Sequence, residues 1–81
     1  MYTTEMATAF KSIVPPKNFG VTLFDSGEFI TISIDPEDIE KLQDNEVDNV
    51  VKYINDVKKV LEEHGAIVYI VREALKDEWF V

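Results

Sequence analysis

The chain is 81 residues long, 46% hydrophobic and 11% aromatic, and its 16 acidic side chains against 8 basic ones give a formal charge of -8. Such apolar content excludes a disordered chain, and the length excludes two independent cores, because domains hold about 100 residues or more. The acidic balance runs against a general nucleic-acid binder, whose affinity comes mostly from cations on phosphates.

A single domain over 1–81 is therefore expected. Cysteine is absent, so disulfides and thiolate chemistry are excluded, which fits a cytoplasmic setting. Met1 to Phe10 carry neither a basic start nor an apolar run of signal-peptide length. No stretch approaches the roughly 18 apolar residues of a membrane span, so no membrane partner is expected. A core this small has no disulfide or metal to staple it, which points to self-association as a homo-oligomer.

In chain order, Thr4 is placed to cap a first helix, in which Met6, Phe10, Ile13 and Val14 recur at helical spacing until Pro15 and Pro16. Its expected span is Thr4 to Ile13. Phe19, Val21 and Leu23 then alternate with Gly20, Thr22 and Phe24. After Asp25-Ser26-Gly27 the run from Phe29 to Ile34 alternates again, which predicts an antiparallel β-hairpin with Gly27 left-handed and Ile30, Ile32 and Ile34 in the core.

Asp35-Pro36-Glu37-Asp38 reads as a helix start, with Asp35 as cap, Pro36 in first position and acids in the first turn. Ile39 and Leu42 bury one side of a short helix. A long amphipathic helix follows, from Val47 to Glu63, because Val47, Val50, Val51, Ile54, Val57 and Leu61 form one stripe. Asp44 or Asn45 is its expected cap, Asp48 and Lys52 an expected i,i+4 pair, and Gly65 its left-handed stop. Ala66 to Val71 is nearly all apolar, as in a central strand covered on both faces. Trp79-Phe80-Val81 supplies a last short strand or an apolar contact for another subunit.

No catalytic centre emerges. His64 is the one histidine and stands where a helix ends, where the dipole favours a cation, so it reads as a cap. A nucleophilic triad or a transition-metal site would lack its other parts. Asp35, Glu37, Asp38, Glu40, Asp44, Glu46 and Asp48 crowd one stretch that has Lys41 alone to offset them. Asp44, Glu46 and Asp48 mimic the opening of a calcium loop, yet Asn49 takes the place of its Gly and Asn55 that of its bidentate Glu, so no metal is expected. What remains is either helix-terminus charge on a solvated face or an acidic docking surface for a basic protein. Arg72, the one arginine, carries a planar fork suited to phosphates, bases or a carboxylate.

Val21, Leu23, Gly27, Ile34 and Asp38 fall at the offsets of one two-strand motif, and Ile67 to Arg72 followed by Trp79-Phe80-Val81 form a second. Together they resemble the two motifs of the Sm/LSm family of ring-forming RNA-binding proteins, over less than half the chain. The resemblance implies a strongly bent small sheet or barrel, a ring of subunits, and an RNA site at Arg72 with Asp38 organising the loop beside it. The sequence departs from the pattern at Ile32, where the family bends at a Gly, at Leu42, where it reads a base with Asn, and at Glu73, where Gly follows the Arg. The helix from Val47 to Glu63 would be an insertion between the motifs. The order helix, two strands, two helices, strand is also similar to one class of KH domain, α-β-β-α-α-β. That family needs a Gly-x-x-Gly loop between its helices, and this chain has Gln43-Asp44-Asn45 there.

The expectation is thus an α+β chain acting without cofactors as a non-enzymatic, oligomeric, Sm-like module that binds RNA or DNA through Arg72 and Asp38. The alternative is an acidic protein-interaction module, of the phage or mobile-element accessory type, that binds a basic partner through Asp35, Glu37, Asp38 and Glu40. An enzyme is the third class and lacks an assembled acid, base or nucleophile.

Overall fold

The computed structural model describes residues 2–71, and the expectations placed on Arg72 and on Trp79-Phe80-Val81 lie outside them. Helix α1 spans Thr4–Lys11. Its cap is Thr3 rather than Thr4: Thr3 has the extended backbone a cap requires, and its hydroxyl accepts the Met6 N–H at 3.1 Å. The helix ends at Ser12, ahead of the prolines, and Met6 is its buried residue.

Strands β1 (Thr22–Asp25) and β2 (Ile30–Ser33) form the expected antiparallel hairpin. Its turn is held by the Asp25 carboxylate, which accepts the Gly27 N–H at 2.8 Å, while Gly27 takes φ 97°, open to glycine at no steric cost. Ile30, Ile32 and Ile34 are buried, as their alternation requires.

Helix α2 (Pro36–Glu40) starts as its sequence dictates, with the Asp35 carboxylate accepting the Glu37 N–H at 2.9 Å. A 3₁₀ turn, Asp44–Glu46, then leads into helix α3, Val47–Glu63. The expected cap at Asp44 or Asn45 is replaced by this turn, where the Glu46 carboxylate accepts the Gln43 N–H at 2.9 Å. Lys52 pairs with Asp56 at 3.6 Å instead of with Asp48. Gly65, at φ 89°, turns the chain out of the helix, and the Ala66 N–H closes that turn on the Leu61 carbonyl.

Strand β3 (Val68–Ile70) lies parallel to β2, so the sheet order is β1-β2-β3. A parallel neighbour cannot be reached by a tight turn and needs a crossover, which α2 and α3 provide. The long helix is therefore no addition to the sheet. It supplies Val50, Tyr53, Ile54, Val57 and Leu61 to the core and packs on α1 and β3. Phe19 meets Tyr53 edge to face at 6.3 Å, and burial raises the Tyr53 phenol pKa.

The elements are those of an α+β chain with an N-terminal helix, a hairpin, a long helix and a late strand. Among the described residues the sheet is open and mixed, with three strands in a row, and no barrel closes. The element order is α-β-β-α-α-β. Where a central strand covered on both faces was expected over Ala66 to Val71, among the described residues β2 is central, β3 flanks it, and Tyr69 is exposed. Among the described residues, one layer of helix covers one side of the sheet.

Candidate functional site

Side chains alternate across a strand, so register decides which residues share a face. Leu23 pairs with Ile32, and Ile32 with Ile70, in a row turned to the core. The next row is Phe24, Thr31 and Tyr69, and it faces the other way. Phe24 is 58% exposed and Tyr69 57%, against zero for Ile30 and Ile32 one residue along β2.

Two more outward positions widen this apolar surface. Ile67 and Val71 stand two residues either side of Tyr69 and are likewise exposed. Phe29, before β2, meets the Tyr69 ring edge to face at 5.0 Å, which holds that ring in place over the strand ends. Thr22 and Ser33 complete the outward set. None of these side chains is charged, in a chain of net charge -8.

The acids lie elsewhere. Asp35, Glu37 and Glu40 are exposed on and beside α2, and Asp38 is half-buried. Asp35 is occupied as the α2 cap. Asp38 lines a polar groove of about 460 Å³ together with Lys17, Asn18, Lys41, Leu42 and Glu46. Asn18 there adopts φ 59°, a left-handed conformation that asparagine tolerates better than most residues. The expected companion of Asp38, Arg72, lies outside the described residues, so the structure does not describe their meeting.

His64 is exposed at the end of α3, with Nδ1 2.8 Å from the Val60 carbonyl oxygen, a capping contact. The Asp25 carboxylate has its pKa lowered to about 2, chiefly because the Tyr2 N–H donates to it at 2.8 Å and the Gly27 N–H also donates. Both are turn and terminus contacts at the hairpin tip. Among the described residues no group of three or more His, Cys, Asp or Glu side chains is placed to hold a metal. No helix among them is long and apolar enough to cross a membrane.

The outward row of Phe24, Thr31 and Tyr69 was not singled out by the sequence reading. The signal was present in the parity of the hairpin: with Ile30 and Ile32 inward, Phe24 and Thr31 must point outward. Compared with protein-family models, with curated proteins and with solved structures, the chain matches none.

Proposed function

We propose that this protein is a non-enzymatic binding module that works by contact, and that the open face of its sheet is the working surface. The observation that supports the reading is the uncharged row Phe24, Thr31, Tyr69, whose two rings are left exposed on a strongly acidic chain. Contiguous apolar patches beyond a few hundred Å² are rare on monomeric proteins, and the largest patch on a small protein is often its functional surface. The acids Glu37, Asp38 and Glu40 sit outside that surface and remain available to a basic partner, while Asp35 caps α2.

A neutral solvatochromic dye such as Nile red tests the surface. At submicromolar protein, its fluorescence is expected to rise with the native chain and to fall to near background with Phe24→Lys plus Tyr69→Lys. Fluorescence that ignores both substitutions would show that the face is not an accessible apolar surface.

A second reading is favoured by the same two rings. Aromatic side chains on an open sheet can stack bases at about 1–3 kcal/mol each, and Arg72 and Asp38 would belong to such a site in an Sm-like protein. It is opposed by the absence of any cation in the outward rows among the described residues. Single-stranded RNA binding at low salt, lost in both Arg72→Ala and Tyr69→Ala, would establish it in place of the first.

A further inference from the structure

We propose that the groove between residues 13–17 and α3 binds an extended, uncharged peptide through the Tyr53 hydroxyl. The site lies in a different part of the molecule from the open sheet face and stands without it.

One wall of the groove is aliphatic and stiff. Pro15 and Pro16 form it together with Ile13 and Val14, and each proline ring locks its own φ, so the wall is ordered before anything binds. Val14 is 86% exposed, more than any other large hydrophobic side chain among the described residues. The other wall is one face of α3, where Asn49 and Tyr53 stand four residues apart and Lys52 and Asp56 lie beside them. The space is about 360 Å³. Ligand pockets run from about 300 to 1,000 Å³, so it is large enough to hold part of a ligand.

Tyr53 points to what the groove takes. Its ring packs edge to face on Phe19, and the residue is 5% exposed. Its hydroxyl meets no hydrogen-bonding partner in the protein, yet no buried side-chain polar atom among the described residues is left without one. The hydroxyl therefore reaches the surface, and the surface that Tyr53 lines is this groove. Burial raises the phenol pKa, so the group keeps its proton at neutral pH and donates it to an acceptor oxygen.

An amide carbonyl is the acceptor that fits. Lys52 pairs with Asp56 at 3.6 Å, and Lys17 offsets Glu46 in formal charge, so the lining is neutral on a chain of net charge -8. Such a lining gives a carboxylate or an ammonium no net attraction. The exposed Asn49 carboxamide, one turn before Tyr53, carries both donors and an acceptor, the complement of a backbone amide. The aliphatic wall then takes an apolar side chain, which removes part of Val14 from water. Room for a chain comes from the polar groove of about 460 Å³ beside Asp38, which adjoins this one because Lys17 and Glu46 line both. Its remaining charges, Asp38 and Lys41, offset each other as well.

Nitrogen–proton correlation NMR of the full chain tests this, with the blocked peptide acetyl-Ala-Leu-Ala-Gln-Ala-amide as probe at up to about 5 mM, the range of a weak site. The expected result is a saturable shift of the amide signals of Val14, Lys17, Asn49 and Tyr53 that added salt leaves unchanged. Tyr53→Phe, which keeps the ring on Phe19, should weaken binding about three- to tenfold, the scale of one hydrogen bond. Val14→Ser, at an exposed position, should weaken it too and covers the case in which Tyr53→Phe does not fold. Phe24→Lys with Tyr69→Lys should leave binding intact, which separates this site from the sheet face, and a loss in that variant overturns the proposal. Shifts that do not saturate or that fall away from the groove, or binding that ignores both Tyr53→Phe and Val14→Ser, overturn it as well. So does a chain that binds only acetyl-Lys-Leu-Lys-Gln-Lys-amide and releases it in salt, because acids and not the hydroxyl then hold the peptide.

Discussion

The two faces of one sheet differ more in what covers them than in what they are made of. Inward, Ile30 and Ile32 share one core cluster with residues of α3 and α1; outward, Phe24, Ile67, Tyr69 and Val71 are just as apolar and, among the described residues, exposed. The difference teaches that alternation assigns a residue to a side and says nothing about coverage. Coverage depends on how much helix the chain can spend. Folds that bury both faces of a sheet need helices on each, and here α1 and α3 belong to the same core cluster.

The hardest blow to this contrast would come from the inward side. Ile32→Ala or Ile54→Ala removes a side chain with no exposure and is expected to cost about 2–5 kcal/mol in chemical denaturation. On a domain this small that is a large part of the total. A loss below about 1 kcal/mol would mean that the covered face is not the core. Next is the turn that delivers β3: Gly65→Ala forces an L side chain to φ 89° and should cost about 1–2 kcal/mol.

On the outward side, Tyr69→Thr and Phe24→Thr should change stability by only about 0.5 kcal/mol, the scale of a cross-strand pair, while lowering dye binding at that face. If either destabilises the monomer as much as Ile32→Ala, both faces are buried and the contrast collapses. The smallest effect lies at the hairpin tip. Asp25 titrates near 2 in the fold and near 3.9 when unfolded, so its contribution is complete above about pH 4 and is lost as pH falls towards 2. A thermal melting series should show Asp25→Asn flattening that acid limb, with the neutral-pH end shifted by the lost turn contacts alone.

Much of the scaffold was legible because it is written in local chemistry. The stripe of α3 gave its bounds at Val47 and Glu63, Asp35-Pro36 opened α2, and Gly27 and Gly65 marked the two left-handed turns. Where two residues offered the same service, sequence could not choose. Thr3 and Thr4 both carry a capping hydroxyl, and backbone conformation selected Thr3. Lys52 has an aspartate four residues away on each side, and Asp56 holds it. Tyr53 escaped the apolar stripe because its burial is owed partly to Phe19, brought from outside the helix. The candidate surface was hidden for the same reason: an apolar run such as Ala66 to Val71 cannot reveal that, among the described residues, its second side meets no helix.

The parallel pairing of β2 with β3 also bears on how the molecule assembles in time. Hairpin and α3 are built from neighbours in sequence, whereas Ile30 meets Val68 across roughly 40 residues, a separation whose closure entropy must be met before the contact rewards it. The sheet's third strand should therefore be the last to dock and the first to leave. Since Tyr69 rides on that strand, the outward surface exists only once folding is complete, so a chain still folding has no finished face to offer a neighbour.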